Sequence, residues 1–142
     1  MDHAEQGTIY EWFKLALYPQ LRESELASRY PSKRPRVNEA DGRKLIVDYL
    51  KAVRRNFEHF KTFRPEALRN VPTEYIITVP AIWSDRAKDI TRACAAEAGM
   101  GRKSDIHIIK EPEAAGIYAL NTIKDVDLKV NDTFVLCDAG GG

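Results

Sequence analysis

The sequence has little net charge, few cysteines and no long apolar run, and each shortage excludes a class of protein. Its 22 basic and 21 acidic residues leave a net charge of +1, so nothing draws the whole chain toward nucleic acid or an anionic membrane. No apolar stretch approaches the roughly 20 residues that span a bilayer. Residues 1–7 are polar and acidic, unlike a secretory signal. We therefore expect a cytoplasmic or nuclear protein with no nucleic-acid or membrane partner.

Only two cysteines, Cys94 and Cys137, occur in the 142 residues. Both have apolar neighbours in the sequence, and their separation matches no metal-ligand spacing. We expect both to be buried, reduced thiols, as is usual in reducing compartments. With 44% hydrophobic and 30% charged residues, the composition fits a soluble domain with a real core.

The first part of the chain divides into a short helical pattern and a polar stretch. In residues 8–18 the apolar side chains fall on one face, and Pro19 follows, which predicts a helix that ends there. Residues 19–43 are polar, with Pro31, Pro35 and a basic cluster, which predicts a long, mobile loop. We treat residues 1–42 as an N-terminal helix and loop, and residues 43–142 as the main domain.

Residues 43–61 show the most regular helical pattern. Their apolar residues recur at i, i+3/4 and i+7 and form one stripe: Ile46, Tyr49, Leu50, Val53, Phe57 and Phe60. We expect this stripe to pack against the core of the protein and not to form a groove for a partner.

The second half alternates short β-type and helical patterns. Residues 75–79, 106–109 and 133–137 are short apolar runs, which predicts three strands. Helices are predicted between them, over residues 84–98, capped by the serine at their start, and over residues 113–120. Strands that alternate with helices through short connections predict an α/β layered sheet.

A residue of functional interest follows each predicted strand: Pro80, Glu111 and Asp138. Ligands of open α/β sheets bind outside the carboxyl ends of the strands, so the two acids could face one cleft. Two carboxylates suit holding Mg²⁺ through waters and orienting an attacking water. The bare backbone of residues 140–142 suits contact with a phosphate. Two simpler interpretations stay open: Glu111 could only neutralise the start of the next helix, and residues 138–141 could only form a turn.

Four motifs occur in order along the second half: Thr78-Val-Pro-Ala-Ile-Trp-Ser-Asp85, Ala95-Ala-Glu-Ala-Gly99, Ile109-Lys-Glu-Pro-Glu-Ala-Ala115 and Leu136-Cys-Asp-Ala-Gly-Gly-Gly142. Together they resemble the nucleotide-binding domain of the seventy-kilodalton heat-shock chaperone family, within the actin-like ATPase superfamily, and its divergent branch in particular. The resemblance covers residues 43–142 well and the first forty weakly. It implies an α/β fold, part of the first lobe of an actin-like, ribonuclease H-like ATPase domain, with ATP and Mg²⁺ as ligands.

The resemblance implies a role for each residue that matches a family motif. Glu111 matches the acid that helps to position the hydrolytic water and the waters of the metal. Asp138 matches the acid that opens the second phosphate motif and approaches the magnesium waters. Gly140, Gly141 and Gly142 match the glycines of that motif, which lie against the phosphate.

Three further residues match family positions outside the acids and glycines. Pro80 matches a proline implicated in relaying the nucleotide state to the rest of the molecule. Lys88 stands where main-family members carry an arginine that works with this proline. Lys14, in Trp-Phe-Lys-Leu, resembles the catalytic lysine of an early helix. The simpler interpretation of Lys14 is an exposed lysine on an amphipathic helix.

Several family features are missing from the 142 residues: the first phosphate hairpin, the threonine after the triple glycine, the adenosine motif, the second lobe and the substrate-binding domain. We therefore expect a fragment of a chaperone-like ATPase domain, truncated at the second phosphate motif, with no measurable ATPase activity and weak or no ATP binding. Client proteins and co-chaperones would be partners of the intact relative. The alternatives are a non-catalytic interaction or regulatory module of this fold and, disfavoured by the Glu-Pro-Glu-Ala-Ala motif, a sugar-kinase-like member of the superfamily.

Overall fold

The computed structural model describes residues 8–20, 37–63, 66, 71–122 and 129–137. Within these residues the chain forms short 3-10 helices, longer α-helices and a parallel sheet. In chain order the elements are the 3-10 helix Phe13–Leu17, α1 Glu39–Lys61, β1 Tyr75–Val79, α2 Asp85–Glu97, the 3-10 turn Lys103–Asp105, β2 Ile106–Lys110 and α3 Glu111–Thr122.

β1 and β2 pair in parallel, in a register that runs from Tyr75 opposite Ile106 to Val79 opposite Lys110. Parallel neighbours need a crossover connection, which α2 supplies. The predicted α/β alternation is confirmed for β1, α2, β2 and α3. Both strands lie where their apolar runs predicted them, and β2 extends one residue further, to Lys110.

The third strand, predicted over residues 133–137, is wrong for the part of the chain that the structure describes. Residues 132–137 have no regular secondary structure, and the described sheet contains β1 and β2 alone. The side chain of Val135 is 93% exposed. A strand needs a neighbour whose backbone completes the hydrogen-bond ladder, and this segment has none among the described residues.

The helix predicted over residues 8–18 is also wrong in its extent. Only Phe13–Leu17 is helical, and it is a 3-10 helix. Trp12, directly before it, has a φ of 57°, in the left-handed region that a right-handed helix cannot continue through. Residues 8–11 therefore lie outside the helix, although their apolar spacing fits one.

The 3-10 helix packs closely on α1. Its Ala16 and Leu17 are buried, and Leu17 shares a cluster with Ile46 and Val47 of α1. Gly42 of α1 permits the close approach, since a Cβ atom at Gly42 would lie 2.7 Å from the Cβ of Ala16.

α1 begins at Glu39, inside the stretch that was predicted to be a loop up to residue 43. Asn38 caps the helix: its Oδ1 accepts a hydrogen bond from the backbone N–H of Asp41 at 2.9 Å, and its Nδ2 donates to the carboxylate of Asp41 at 2.8 Å. The acids Glu39 and Asp41 occupy the first turn, where the helix dipole favours negative charge. The loop prediction fails for residues 39–43 because this capping signal outweighs their polarity.

The hydrophobic core lies between α1, α2, the 3-10 helix and one face of the sheet. Its larger cluster consists of Leu17, Ile46, Val47, Val79, Trp83, Ala87, Ile90, Cys94 and Ala98. A smaller cluster, Ala95, Met100 and Ile106, lies where the end of α2 meets β2. These clusters fix α2 against the sheet and so set the position of the loops at its two ends.

The apolar stripe of α1 is only partly core, which corrects the expectation that all of it packs inside. Ile46 is buried and Leu50 is half-buried. The other four residues of the stripe are exposed: Tyr49, Val53, Phe57 and Phe60. Among the described residues, the second half of the helix has looser contacts with the sheet, such as that between the rings of Phe57 and Tyr75, whose centroids are 6.1 Å apart.

The two cysteines differ in their surroundings. Cys94 is buried in α2, and Cys137 is exposed, so the expectation of two buried thiols is wrong for Cys137. The segment that carries Cys137 is not part of the sheet, which removes the burial that a central strand would supply. None of the helices in the described residues combines the length and apolar character that crossing a bilayer requires.

Candidate functional site

The carboxyl ends of β1 and β2 lie side by side. Val79, the last residue of β1, is in register with Lys110, the last residue of β2. The chain therefore leaves the sheet at Pro80 and at Glu111 from neighbouring positions on one edge. We call this the carboxyl edge, and α2 and α3 both start from it.

Pro80 opens a tight turn that leads into α2. The backbone N–H of Trp83 donates to the carbonyl of Pro80 at 3.1 Å, and the buried side chain of Trp83 anchors the turn in the core. The hydroxyl of Ser84 then accepts the N–H of Ala87 at 3.3 Å and caps the helix, as predicted. The position of Pro80 is thus tied to the start of α2 through one short, packed turn.

A pair of opposite charges lies on the first turn of α2. The ammonium of Lys88 donates to the carboxylate of Asp85 at 2.9 Å. This contact, together with the more distant charge of Lys110, holds the pKa of Asp85 below its ordinary value. Lys110 ends β2, so its charge reaches Asp85 across the carboxyl edge. Lys88 therefore lies next to the turn that starts at Pro80, held by a neighbouring acid.

The two acids at the start of α3 differ in their contacts. Glu113 accepts the backbone N–H of Lys110 at 3.2 Å and lies 3.6 Å from its ammonium, so Glu113 ties the end of β2 to the helix. Glu111 is half-buried, and its carboxylate makes no hydrogen bond or ion pair with another described residue. Of the two acids, Glu111 is therefore the one with oxygens available at the carboxyl edge.

Lys14, the other candidate cation, is exposed on the 3-10 helix. That helix packs on α1, and within the described chain no hydrogen bond or ion pair joins Lys14 to another residue. Nothing in the structure brings its ammonium to Glu111, and its role stays a prediction.

Asp138 and the three glycines Gly140, Gly141 and Gly142 lie outside the described residues. In the segment just before them, the ring of Phe134 lies near α3. A Cβ atom built on Gly116 of α3 would lie 3.9 Å from the ring of Phe134. Phe134 therefore lies near the helix that begins with Glu111, and the place of Asp138 stays a prediction.

The described residues contain no group of three or more His, Cys, Asp or Glu side chains placed to hold a metal ion. A concavity of about 580 Å³ opens elsewhere, between α1 and α2, and Pro80 and Glu111 do not line it. Its wall includes Arg43 and Arg86, and both guanidiniums bind Glu39, Arg86 through two hydrogen bonds of 2.9 and 2.8 Å. These charges are already paired, so this concavity is a weaker candidate than the carboxyl edge.

Lys110 and Asp85 belong to the carboxyl edge, but the sequence reasoning assigned them no functional role. A signal for Lys110 was available, because it directly precedes Glu111 at the end of a predicted strand. Asp85 was noted only as the last residue of the first family motif. Their mutual influence depends on the pairing of β1 with β2, which the sequence alone does not reveal.

No protein-family model matches the chain, and no solved structure matches it. Among curated proteins, the chain is 31% identical over 109 residues to a chaperone protein HscA homolog from Acinetobacter baylyi. The match covers 76% of this chain and 16% of that protein, so the chain spans about a sixth of the relative's length. This similarity supports a distant relationship to the chaperones of the seventy-kilodalton heat-shock family.

Proposed function

We propose that this chain forms part of the ATP-binding lobe of an actin-like ATPase related to the heat-shock chaperones, with its phosphate site at the carboxyl edge. The observation that carries the proposal is the parallel register of β1 and β2, which brings Pro80 and Glu111 to one edge. The similarity to an HscA homolog adds independent support. In an intact relative, this edge would face the triphosphate.

In this proposal Glu111 positions the attacking water, and Asp138, which opens the second phosphate motif in the sequence, provides the second carboxylate. Mg²⁺ takes oxygen ligands and keeps most of its own waters. Glu111 is half-buried and has no partner among the described residues, so its carboxylate fits a hydrated Mg²⁺ ion. When bound, the metal would neutralise charge on the phosphates. Gly140, Gly141 and Gly142 would let backbone N–H groups approach a phosphate oxygen.

Pro80 and Lys88 would report the state of this site to the rest of the molecule. The buried Trp83 and the Ser84 cap join Pro80 rigidly to α2. A displacement of Pro80 would therefore move the first turn of α2 and the pair of Lys88 with Asp85. Lys14 would act as a catalytic lysine only if the 3-10 helix lay within reach of the same edge.

We expect the 142-residue polypeptide to show no measurable ATP hydrolysis. Phosphoryl transfer depends almost entirely on positioning and electrostatic stabilisation. The 142 residues contain neither the first phosphate hairpin nor an adenosine motif, so one wall of the cleft acts alone. MgATP should then bind with a Kd near 1 mM, about −4 kcal/mol, and calorimetric affinity in the micromolar range would contradict this.

A titration of the ¹⁵N-labelled polypeptide with MgATP tests the site, with the backbone resonances as the readout. We expect fast-exchange shifts at Ala81, Lys110 and Glu111, and smaller shifts in Glu111→Gln. Glu113→Gln is the matched control, because Glu113 lies on the same helical turn and already binds Lys110. No shifts at the carboxyl edge, or equal losses in the two variants, would refute the proposed site.

A second candidate function is a non-catalytic interaction module of the same fold. It is favoured by the apolar side chains of Ile117 and Leu120, neighbours at i, i+3 that α3 leaves exposed, because contiguous exposed apolar surface is a common feature of contact sites. Client proteins or co-chaperones would be its partners, in the cytoplasm or nucleus. Retention of such a partner by the Glu111→Gln variant would favour this function over the nucleotide-linked one.

A further inference from the structure

The second half of α1 carries an apolar surface that the other described residues cover only in part, through the ring of Tyr75 at 6.1 Å from that of Phe57. Its members are exposed by 39% to 75%, and we call them the exposed face of α1: Tyr49, Val53, Phe57, Phe60 and Phe63. The first four recur at helical spacing on one side of α1, and Phe63 follows directly after the helix. The first half of the same side is covered, where the 3-10 helix packs over Gly42 and the ring of Phe13 meets that of Tyr49 at 6.1 Å.

The size of this face is the reason to expect an occupant. Because an aromatic side chain carries about 150–250 Å² of surface, the exposed parts of the five residues amount to roughly 500 Å². The largest apolar patch on a typical monomer measures about 300–600 Å², and it is often functional. Pairing two such faces would remove about 1,000 Å² from water, the lower limit for a specific protein interface.

We propose that the exposed face of α1 pairs with the same face of a second copy, with the two helices antiparallel. Antiparallel pairing overlaps the free second halves and keeps the covered first halves at opposite ends. A parallel pairing would instead bring the 3-10 helices and cores of the two copies against each other. The middle of the face is Asn56, an exposed residue, so the two-fold axis passes near it and Val53 of one copy meets Phe60 of the other.

The charges of this half of the helix predict how the pairing responds to salt. Residues 49–63 carry four Lys or Arg side chains and one carboxylate, so two copies repel each other. Salt screens this repulsion, since the Debye length falls from about 10 Å at 0.1 M to about 3 Å at 1 M. Self-association should therefore strengthen as salt is added, whereas binding of an acidic partner would weaken.

Sedimentation equilibrium of the full 142-residue chain tests the pairing. We expect a monomer–dimer equilibrium with a Kd weaker than about 1 µM, because the area is at the low end for interfaces. Phe60→Glu should weaken it by about tenfold or more. The control is Val130→Glu, at a residue that is 91% exposed outside this face, and it should leave the Kd unchanged. A chain that stays monomeric at all concentrations, or equal effects of the two variants, would overturn the proposal.

Disulfide trapping tests the geometry and does not depend on the stability of Phe60→Glu. In a Cys137→Ser background, where the remaining Cys94 is buried, Asn56→Cys should form a cross-linked dimer on mild oxidation. Arg55→Cys, whose side chain points about 100° away around the helix, should not. Tyr49→Cys distinguishes antiparallel from parallel pairing of the two α1 helices, since it forms a cross-linked dimer only if the helices are parallel. Cross-linking at position 49 or 55, or none at position 56, would refute the antiparallel pairing.

Discussion

Replacing Gly42 with alanine should destabilise the protein, although alanine is the better helix former. In an exposed helix interior this change would gain about 0.8–1 kcal/mol. Here the new Cβ would lie 2.7 Å from the Cβ of Ala16 and 3.2 Å from the carbonyl oxygen of Phe13. Neither atom can rotate away, so the 3-10 helix must shift as a unit. Overpacking of this kind costs about 1–3 kcal/mol, so we expect a net loss of about 1 kcal/mol.

Urea denaturation followed by circular dichroism measures this free energy of unfolding. Gly116→Ala is the matched control, because Gly116 is also helical but a Cβ there would meet only the ring of Phe134, at 3.9 Å. That variant should be more stable than the native chain by about 0.4–1 kcal/mol. The double variant Ala16→Gly/Gly42→Ala should recover part of the loss, since it removes the Cβ contact at 2.7 Å and leaves the contact with the Phe13 carbonyl oxygen at 3.2 Å. If Gly42→Ala stabilised the protein as much as Gly116→Ala, the packing of the 3-10 helix on α1 would be wrong.

Three further predictions concern the helix caps, pH and thiols. Ser84→Ala should cost about 1 kcal/mol of unfolding free energy, and Ser84→Asp should restore most of it. The hydrogen bonds from Arg86 lower the pKa of Glu39. The ionised carboxylate of Glu39 therefore stabilises the fold above its unfolded pKa of 4.5, and this stabilisation is lost as the pH falls through the lower pKa of the folded state. Between pH 7 and pH 3 the urea midpoint of Glu39→Gln should accordingly fall less steeply than that of the native chain. Midpoints that fall in parallel for the two proteins would count against this role of Glu39. Burial raises the pKa of the Cys94 thiol, so a thiol reagent should modify Cys137 rapidly and Cys94 only on unfolding; equal rates would exclude the buried position.

The elements that could be predicted are those whose ends are fixed by local side-chain chemistry. α2 is an example, since Ser84 caps its start and Gly99, with a φ of 81°, follows its end. The start of α1 also had a local sequence signal, the helix-capping residue Asn38 followed by Asp41, which hydrogen-bond to each other in the structure. The polarity of the neighbouring residues obscured this signal. The start of the 3-10 helix could not be predicted, because nothing in the sequence signals that Trp12 adopts a left-handed backbone conformation.

Features that depend on contacts between distant segments could not be predicted from the sequence. The apolar run at residues 133–137 predicts a strand, yet a strand forms only where a neighbouring strand supplies backbone hydrogen-bond partners, which the run itself does not reveal. The same reasoning applies to the site. The common edge of Pro80 and Glu111 could be predicted from two parallel strands. The effect of the Lys110 charge on the pKa of Asp85 could not, because it depends on knowing that β1 pairs with β2. The place of Asp138 stays a prediction.

The central claim is that Asp138 joins Glu111 at the carboxyl edge, and a spin label on the neighbouring Cys137 tests it directly. Cys137 is exposed while Cys94 is 4% exposed, so the native chain labels at one site. Paramagnetic broadening should then remove the amide signals of Glu111 and Ala81 and spare that of Lys103, in the 3-10 turn that precedes the opposite end of β2. Broadening at Lys103, with Glu111 and Ala81 unaffected, would contradict the proposed site.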